Sequence, residues 1–380
     1  MNPRIPSFLS RPVALAAAAL ATALLAAGPA QAAHGVAATA GQTDAAPSSR
    51  PLPVVASFSI LADLVKQVGG DRVAVESLVK AGGDTHVFQP GPAQVRQLSS
   101  ASLVVVNGLG FEGWMPRLIG SSGYKGPVVE AARGLQAMKA TDDHHHHGDD
   151  ADDDDHDHDG PHGHDHDHDG PHGHDHDEDG PHGHSHADHD HDEASHGHHH
   201  HHHGGLDPHA WQDALNVRHY VANIAEGLCQ AAPADCGGFR ERARAYDQKL
   251  LELDQEIHKA VDATPTDRRR VMVSHAAFGY YGRAYHITFM APVGISTEEE
   301  PSAAVVANLI RQARQQNVQA FFFENNSDPR LLKRMASELK NVTIGELYAD
   351  SLSPANGPAA DYLSMMRYNT RAITQALLKK

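Results

Sequence analysis

Between Asp142 and Gly205 the chain consists almost entirely of histidine and aspartate. The stretch from Asp142 to His203 holds 21 Asp and Glu residues and contains no Lys or Arg. Because so few of its side chains are apolar, this segment cannot bury a core, and we expect it to be disordered when no metal is bound. The sequence on either side must therefore supply the whole fold, and the acidic segment is an insert within it.

The insert has the composition of a metal-binding segment, because imidazole and carboxylate are ligands of borderline divalent metals such as zinc. It repeats every ten residues from Asp159, but no repeat carries apolar residues that could stack, so the repeat does not indicate a solenoid. We interpret its histidine runs as secondary, low-affinity metal ligands, and the alternative is a solvated acidic segment with incidental metal affinity. The runs comprise His144, His145, His146, His147, His198, His199, His200, His201, His202 and His203.

The charge of the chain comes from the insert. Its net charge of −17 combines −21 from the insert with +4 from all other residues. The remainder has no basic stripe, so we expect no binding to nucleic acid. Without the insert and the N-terminal segment, roughly 290 residues remain, the length of about two ordinary domains.

Residues 1–32 have the pattern of a cleaved secretory signal peptide. Two arginines accompany an apolar run at 13–27, and Ala30-Gln31-Ala32 fits the small-x-small cleavage pattern. The run is too short for a typical membrane span, and no cysteine near the cleavage point could carry a lipid anchor. We expect a periplasmic mature protein with no membrane span and a flexible tail at residues 33–50.

The sequence contains two cysteines, Cys229 and Cys236. In an oxidising compartment their close spacing favours a small disulfide loop, and the alternative is two unpaired thiols. The spacing matches no zinc motif, so we do not expect a cysteine metal site.

Short apolar runs alternate with segments of helical periodicity, which predicts parallel sheets in an α/β fold. The predicted strands are residues 54–58, 73–79, 103–108, 128–129, 271–274, 288–290, 320–324 and 342–344. The predicted helices are residues 60–68, 92–100, 214–231, 239–261, 302–316, 329–339 and 359–378.

The helix that begins at residue 239 is long, lacks glycine and proline, and ends before Pro265. We predict that it is a rigid link between two α/β lobes. The predicted divisions are an N-terminal lobe at 51–238, with the insert as a disordered loop at 142–205, a linking helix at 239–264, and a C-terminal lobe at 265–380.

Four motifs place a metal-binding side chain at or near the end of a strand. His86, His275 and Asp350 each follow a predicted strand, and His209 lies in Asp207-Pro208-His209-Ala210-Trp211, directly after the insert. In open α/β sheets ligands bind beyond the carboxyl ends of the strands. Three neutral imidazoles and one carboxylate suit tetrahedral zinc. We therefore predict a metal site in the cleft between the lobes.

The remaining histidines outside the insert lack this context, and we expect them to be structural or surface residues. They are His34, His219, His258 and His286. Trp211 and Tyr348 are expected to pack. A metallohydrolase is the alternative from a different class of protein, but the sequence contains no His-Glu-x-x-His helix, nucleophile elbow or phosphate loop.

Taken together, the motifs resemble those of the ZnuA-like zinc and manganese solute-binding proteins of ABC importers. The resemblance runs from about Val54 to Lys380, with the insert where many zinc-binding members carry a His-rich loop. The segments that carry it are Gly83–Pro90, Asn107–Trp114, Asp207–Trp211, His275–Tyr281, Gly294–Ser302 and Tyr362–Asn369.

The resemblance implies that the four ligands hold Zn²⁺ for delivery to a membrane permease driven by a cytoplasmic ATPase. Imidazole at His275 favours zinc over manganese, which prefers oxygen ligands, so manganese or another divalent metal is the alternative. We expect a monomer that is not an enzyme. The sequence departs from the family pattern at four positions, and none of them removes a ligand. These positions are Thr85, Gln212, Ala214 and Ala276.

The insert has three possible roles under this hypothesis. It could raise the local zinc concentration beside His209, buffer or sense excess zinc, or dock a periplasmic zinc metallochaperone.

Deletion of residues 143–204 tests the collecting role. We expect the protein to bind fewer zinc ions while the tight site keeps its affinity, because most of the chain's imidazoles are removed. Metal analysis of protein purified without a tag measures the number of bound ions. Unchanged uptake of scarce zinc after the deletion would contradict a role in capture.

Overall fold

The computed structural model describes residues 50–140 and 205–379. The predicted signal peptide, nearly all of the N-terminal tail and the insert, including both histidine runs, lie outside these residues. Two four-stranded parallel sheets are present in the described residues. The strands are β1 (Leu52–Phe58), β2 (Val73–Val79), β3 (Leu103–Val106), β4 (Val128–Glu130), β5 (Arg270–Val273), β6 (Thr288–Met290), β7 (Ala320–Glu324) and β8 (Thr343–Leu347).

The helices fill the faces of the sheets and connect them. They are α1 (Ser59–Gly69), α2 (Pro92–Ser99), α3 (Met115–Ser122), α4 (Ala214–Ala231), α5 (Cys236–Asp262), α6 (Gly279–Tyr285), α7 (Ala303–Gln315), α8 (Arg330–Ser337) and α9 (Tyr362–Leu378). The predicted class, two parallel-sheet α/β lobes, is confirmed.

Both sheets have the same topology. The first has the order β2-β1-β3-β4 and the second the order β6-β5-β7-β8. In each sheet the chain pairs its first strand with the next strand on one side and then returns to pair on the other side. The order therefore reverses between β1 and β3 and between β5 and β7, and a crevice forms beyond the strand ends at such a reversal.

The long helix α5 connects the two lobes. Its buried side chains recur every three or four residues from Phe239 to Val261, which places them on one stripe of the helix. The stripe packs against α1 and α4 of the first lobe and against α9. The helix begins three residues earlier than predicted, at Cys236, and the structure joins Cys236 to Cys229 in a disulfide.

One hydrophobic core extends through both lobes. It contains Phe58 of β1, Phe239 of α5 and Val273 of β5, all fully buried. A second, smaller cluster around Phe321 and Met335 covers the other face of the second sheet. Because the main core is shared, a large rotation of one lobe against the other would expose apolar surface, which is unfavourable.

The structure differs from the sequence prediction at several short elements. Helices α3 and α6 were not predicted, and β8 continues to Leu347 rather than ending at residue 344. Helix α6 contains Gly279 and Gly282, which lower its intrinsic helix propensity. It forms because Tyr280, Tyr281 and Tyr285 are buried in the core, so tertiary packing outweighs local preference.

Candidate metal centre

Four side chains from both lobes converge between the two sheets. His86 comes from the loop after β2 and His209 from the segment before α4, whereas His275 follows β5 and Asp350 follows β8. One potential ligand atom from each residue lies within 4.8 Å of the others. The structure therefore brings together all four residues that the sequence nominated.

All three histidines lie close to the Asp350 carboxylate. Its Oδ2 lies 3.1 Å from Nε2 of His275 and 3.4 Å from Nε2 of His86, and its Oδ1 lies 3.6 Å from Nε2 of His209. The Nε2 atoms of His86 and His209 are 3.3 Å apart. His209, His275 and Asp350 are at most 1% exposed. Such a ring of inward-facing nitrogen and oxygen atoms is the arrangement that a tetrahedral divalent ion requires.

Several of these atoms are buried without satisfying their hydrogen-bonding capacity. Both carboxylate oxygens of Asp350 and Nε2 of His275 have no hydrogen-bond partner among the described residues. A buried carboxylate whose hydrogen-bonding capacity is unfilled is strongly unfavourable. A bound cation would coordinate these atoms and remove that penalty.

His209 is oriented by Asp207. Oδ1 of Asp207 accepts hydrogen bonds from the backbone N–H of His209 at 2.9 Å and from its Nδ1 at 2.8 Å. A carboxylate only accepts, so the proton of the neutral ring sits on Nδ1 and the lone pair on Nε2 faces the cleft. The Asp207 carboxylate also packs closely against Gly279 of α6. Only glycine fits at this position, because a Cβ there would lie 2.6 Å from Oδ2 of Asp207.

His275 is oriented in the same way by Glu324, the last residue of β7. Its Nδ1 makes a short hydrogen bond to Oε2 of Glu324, and its backbone N–H donates to Oε1 at 3.3 Å. Both residues are buried. Strands β5 and β7 are paired neighbours on either side of the order reversal, so the fold places the carboxylate beside the ring.

The role of Glu324 was not predicted from the sequence. The residues of β7 were predicted as a strand, but its last side chain was not assigned to the site. The rule that identified His275 and Asp350, that polar residues at strand ends line the crevice, applies equally to Glu324.

The electrostatics of the site couple the buried carboxylates to the imidazoles beside them. Burial opposes the charged carboxylate, but the neighbouring imidazoles, His275 first, outweigh it and hold the pKa of Asp350 well below its usual range. Burial likewise opposes a charged His275, but Glu324 and Asp350 raise its pKa well above the usual range. Burial lowers the pKa of His86, so its ring is neutral and ready to coordinate metal at neutral pH.

The two ends of the insert meet beside His209. Lys139 and Leu206 form an antiparallel bridge, and the backbone N–H of Asp207 donates to the carbonyl of Met138 at 2.9 Å. The chain thus leaves and re-enters the described fold at one point, and Leu206 in this bridge is three residues before His209. A long insertion there does not disturb the sheets.

A buried polar network supports the His209 segment from the first sheet. The side-chain amide of Asn107, just after β3, donates to the carbonyl of Pro208 at 3.0 Å and accepts from the hydroxyl of Tyr220. Glu112 accepts from the backbone N–H of Asn107 at 2.7 Å and from the hydroxyl of Ser57 at 2.5 Å. Burial raises the pKa of Glu112 to about 7, although these hydrogen bonds oppose the shift.

Trp211 packs, as the sequence predicted, and it also connects the lobes. Its ring centroid lies 5.0 Å from that of Phe58 and 4.8 Å from that of Phe111. Its indole N–H donates to the carbonyl of Ala349, next to Asp350, at 2.9 Å. This contact fixes the loop that carries the carboxylate.

Comparison with known proteins agrees with this geometry. Residues 54–376 match the family model described as ZnuA, the periplasmic component A of a zinc-uptake complex. The chain belongs to the ZnuA family. It is therefore a metal-binding, substrate-binding component of an ABC importer, with a permease and an ATPase as partners, and the metallohydrolase alternative is rejected.

Curated relatives align over nearly their whole length. The manganese ABC transporter substrate-binding lipoprotein PsaA of Streptococcus anginosus is 26% identical over 350 residues, which cover 90% of this chain and 94% of the relative. The metal ABC transporter substrate-binding lipoprotein SsaB of Streptococcus sanguinis is 25% identical over 346 residues, with the same coverage.

Solved structures share the fold. The periplasmic zinc-binding protein TroA from Treponema pallidum has a TM-score of 0.68 at 22% identity and covers 87% of this chain and 100% of its own. A manganese-bound periplasmic metal-binding protein from Candidatus Liberibacter asiaticus has a TM-score of 0.64 at 21% identity, covering 86% and 100%. Within residues 50–140 and 205–379, no helix is long and apolar enough to span a membrane.

The pKa of Glu112 predicts a pH-dependent stability. Folding raises this pKa from 4.5 to about 7. The protonated Glu112 side chain therefore contributes fully to the free energy of unfolding below pH 4.5, and this contribution is lost as the pH rises through about 7. We expect the metal-free protein to lose about 1–3 kcal/mol relative to Glu112→Gln between about pH 5 and pH 8. Urea unfolding at a series of pH values measures the difference.

The matched control for this prediction is Glu338→Gln, since Glu338 is exposed. The difference in free energy of unfolding between Glu338→Gln and the wild type should not vary with pH. A constant difference between wild type and Glu112→Gln over the same range would contradict the prediction.

Proposed function

We propose that the protein captures Zn²⁺ in the periplasm with His86, His209, His275 and Asp350 and delivers it to an ABC importer. The observation that carries the proposal is the convergence of three imidazoles on one buried carboxylate whose oxygens lack hydrogen-bond partners among the described residues. Family membership supports the assignment to an importer, and the donor atoms of the cluster support the choice of metal.

The choice of zinc rests on the donor atoms. Three imidazole nitrogens and one carboxylate match the ligands that zinc prefers, whereas manganese favours oxygen. The two orienting carboxylates, Asp207 and Glu324, hold Nδ1 of their histidines and leave Nε2 for the metal. Such partners raise the basicity of the ligating nitrogen. Manganese is the second candidate, because PsaA, a relative along most of the chain, is named for manganese.

Binding without turnover also follows from the arrangement. Four protein ligands close the coordination sphere of tetrahedral zinc and leave no position for a reactive water. Burial of three of the four ligands further excludes bulk water. A monomer is sufficient, because both halves of the site come from a single chain. For the insert, we propose that it collects zinc next to His209.

Alanine substitution of each ligand tests the site. We expect zinc affinity to fall by at least about 100-fold for His86→Ala, His209→Ala, His275→Ala and Asp350→Ala, because each removes one of four ligands from a closed shell. Competition with a chromogenic chelator measures the affinity, in protein that lacks residues 143–204 so that the insert does not contribute. The matched control is His219→Ala, since His219 is exposed on α4. Unaltered affinity in any one of the four variants would exclude that residue as a ligand.

Metal selectivity is a separate prediction. We expect the same shortened protein to bind zinc at least about tenfold more tightly than manganese, in line with the order of divalent-metal affinities at nitrogen-rich sites. Titration of the manganese-loaded protein with zinc, followed by metal analysis, measures the exchange. Retention of manganese in the presence of equimolar zinc would favour the manganese alternative.

A further inference from the structure

The loops that carry the candidate ligands are hydrogen-bonded across the cleft, and most of these contacts are deeply buried. The hydroxyl of Tyr280, in the second lobe, donates to the carbonyl of Asp207 at 3.0 Å. Trp211 and Gln212 both donate to the carbonyl of Ala349 at 2.9 Å. The three donor residues are fully buried. Water cannot easily replace these bonds, so the loops that carry His209 and Asp350 stay fixed to the opposite lobe.

The loop that carries His86 is held differently. The hydroxyl of Thr297, in the segment between β6 and α7, donates to Oδ2 of Asp84 at 2.7 Å. Both residues are only partly buried, and the three residues after Thr297 are exposed. His86 is also the most accessible of the four candidate ligands, with 6% of its side chain exposed. The mouth of the site therefore lies on this side.

Asp84 connects this contact to the ligand. Its Oδ1 accepts the backbone N–H of His86 at 2.9 Å, while its Oδ2 accepts the Thr297 hydroxyl. Asp84 thus ties the turn that carries His86 to the opposite lobe, next to the bond from the backbone N–H of Gly82 to the hydroxyl of Ser351 at 2.6 Å. If the Thr297 bond opens, the Asp84 side chain loses its tie to the opposite lobe, while the turn stays held within the first lobe by the indole N–H of Trp114, which donates to the carbonyl of Thr85 at 2.9 Å. The buried contacts around the other ligands are unaffected.

From this geometry we infer that Thr297 is a positioning residue that sets the rate of metal release. It holds Asp84, and through Asp84 the His86 loop, across the mouth of the cleft. Loss of the bond lets His86 move away from the ion first, while His209, His275 and Asp350 remain in place. The inference rests on the proposed function, because it needs a metal at this site.

The bond has the properties that a release step requires. It is a hydroxyl-to-carboxylate hydrogen bond, so it is stronger than a bond between neutral groups. It lies near solvent, so water can replace it when it opens, and opening it does not leave a buried group unsatisfied. Regions with partly exposed hydrogen bonds open more readily than the core. The core shared by the lobes favours such a local opening over rotation of a whole lobe.

Substitution of Thr297 tests the inference with zinc as the probe. We expect Thr297→Val, which keeps the shape and removes the hydroxyl, to speed zinc dissociation about tenfold, as loss of a hydrogen bond to a charged group predicts. The association rate should change little, because the ligands themselves are intact. Thr297→Ser keeps the hydroxyl and should restore the wild-type rate. Stopped-flow mixing of zinc-loaded protein with excess chelator measures dissociation.

The controls separate this inference from the proposed function. Thr288→Val makes the same chemical change at an exposed threonine on β6 and should leave dissociation unchanged. Thr297→Ala should behave as Thr297→Val, so that the result does not depend on how one variant packs. Wild-type dissociation rates in both variants, or failure of Thr297→Ser to restore the rate, would overturn the role of Thr297. Absence of tight zinc binding in the wild type would overturn the proposed function and this inference together.

Discussion

The structure depends on the burial of negative charge between two lobes. Asp350 lies at the centre of the cleft, and Asp207 and Glu324 stand behind two of the imidazoles around it. The ion pairs of these three carboxylates are made with histidine rings. Buried charges of one sign are tolerated only when a compensating charge is present, and a divalent cation supplies it. The same buried carboxylates favour a cation over an anion in the cleft.

The fold produces this arrangement because both lobes have the same sheet topology. Each lobe is a parallel sheet whose strand order reverses beside its first strand, and the crevice at each reversal faces the other lobe. The neighbouring strands β5 and β7 present His275 and Glu324 to each other. In the first lobe, Asn107 follows β3 and holds Pro208, which positions His209. Each lobe supplies two of the four candidate ligands, so the cluster is complete only when both lobes are packed together.

The packing decides how such a protein can move. The linking helix α5 and the shared core resist a change in the angle between lobes, because such a change would expose apolar surface to water. Around the site, contacts such as that of Trp211 with Ala349 are buried, whereas the Asp84–Thr297 contact is close to solvent. The inferred release step therefore places the motion in the loop that carries His86, where the contact to the opposite lobe is close to solvent.

The sequence alone determined the fold class, the long helix and the four residues that converge, because periodicity and placement at strand ends are local properties that a linear pattern records. It also separated the insert from the fold by composition. Only the tertiary structure decided that Glu324 orients His275, that Tyr-rich α6 is helical, and that Thr297 reaches Asp84. Thr297 and Asp84 are more than 200 residues apart in the chain. Such contacts arise from the packing of the lobes, and no local preference of either segment encodes them.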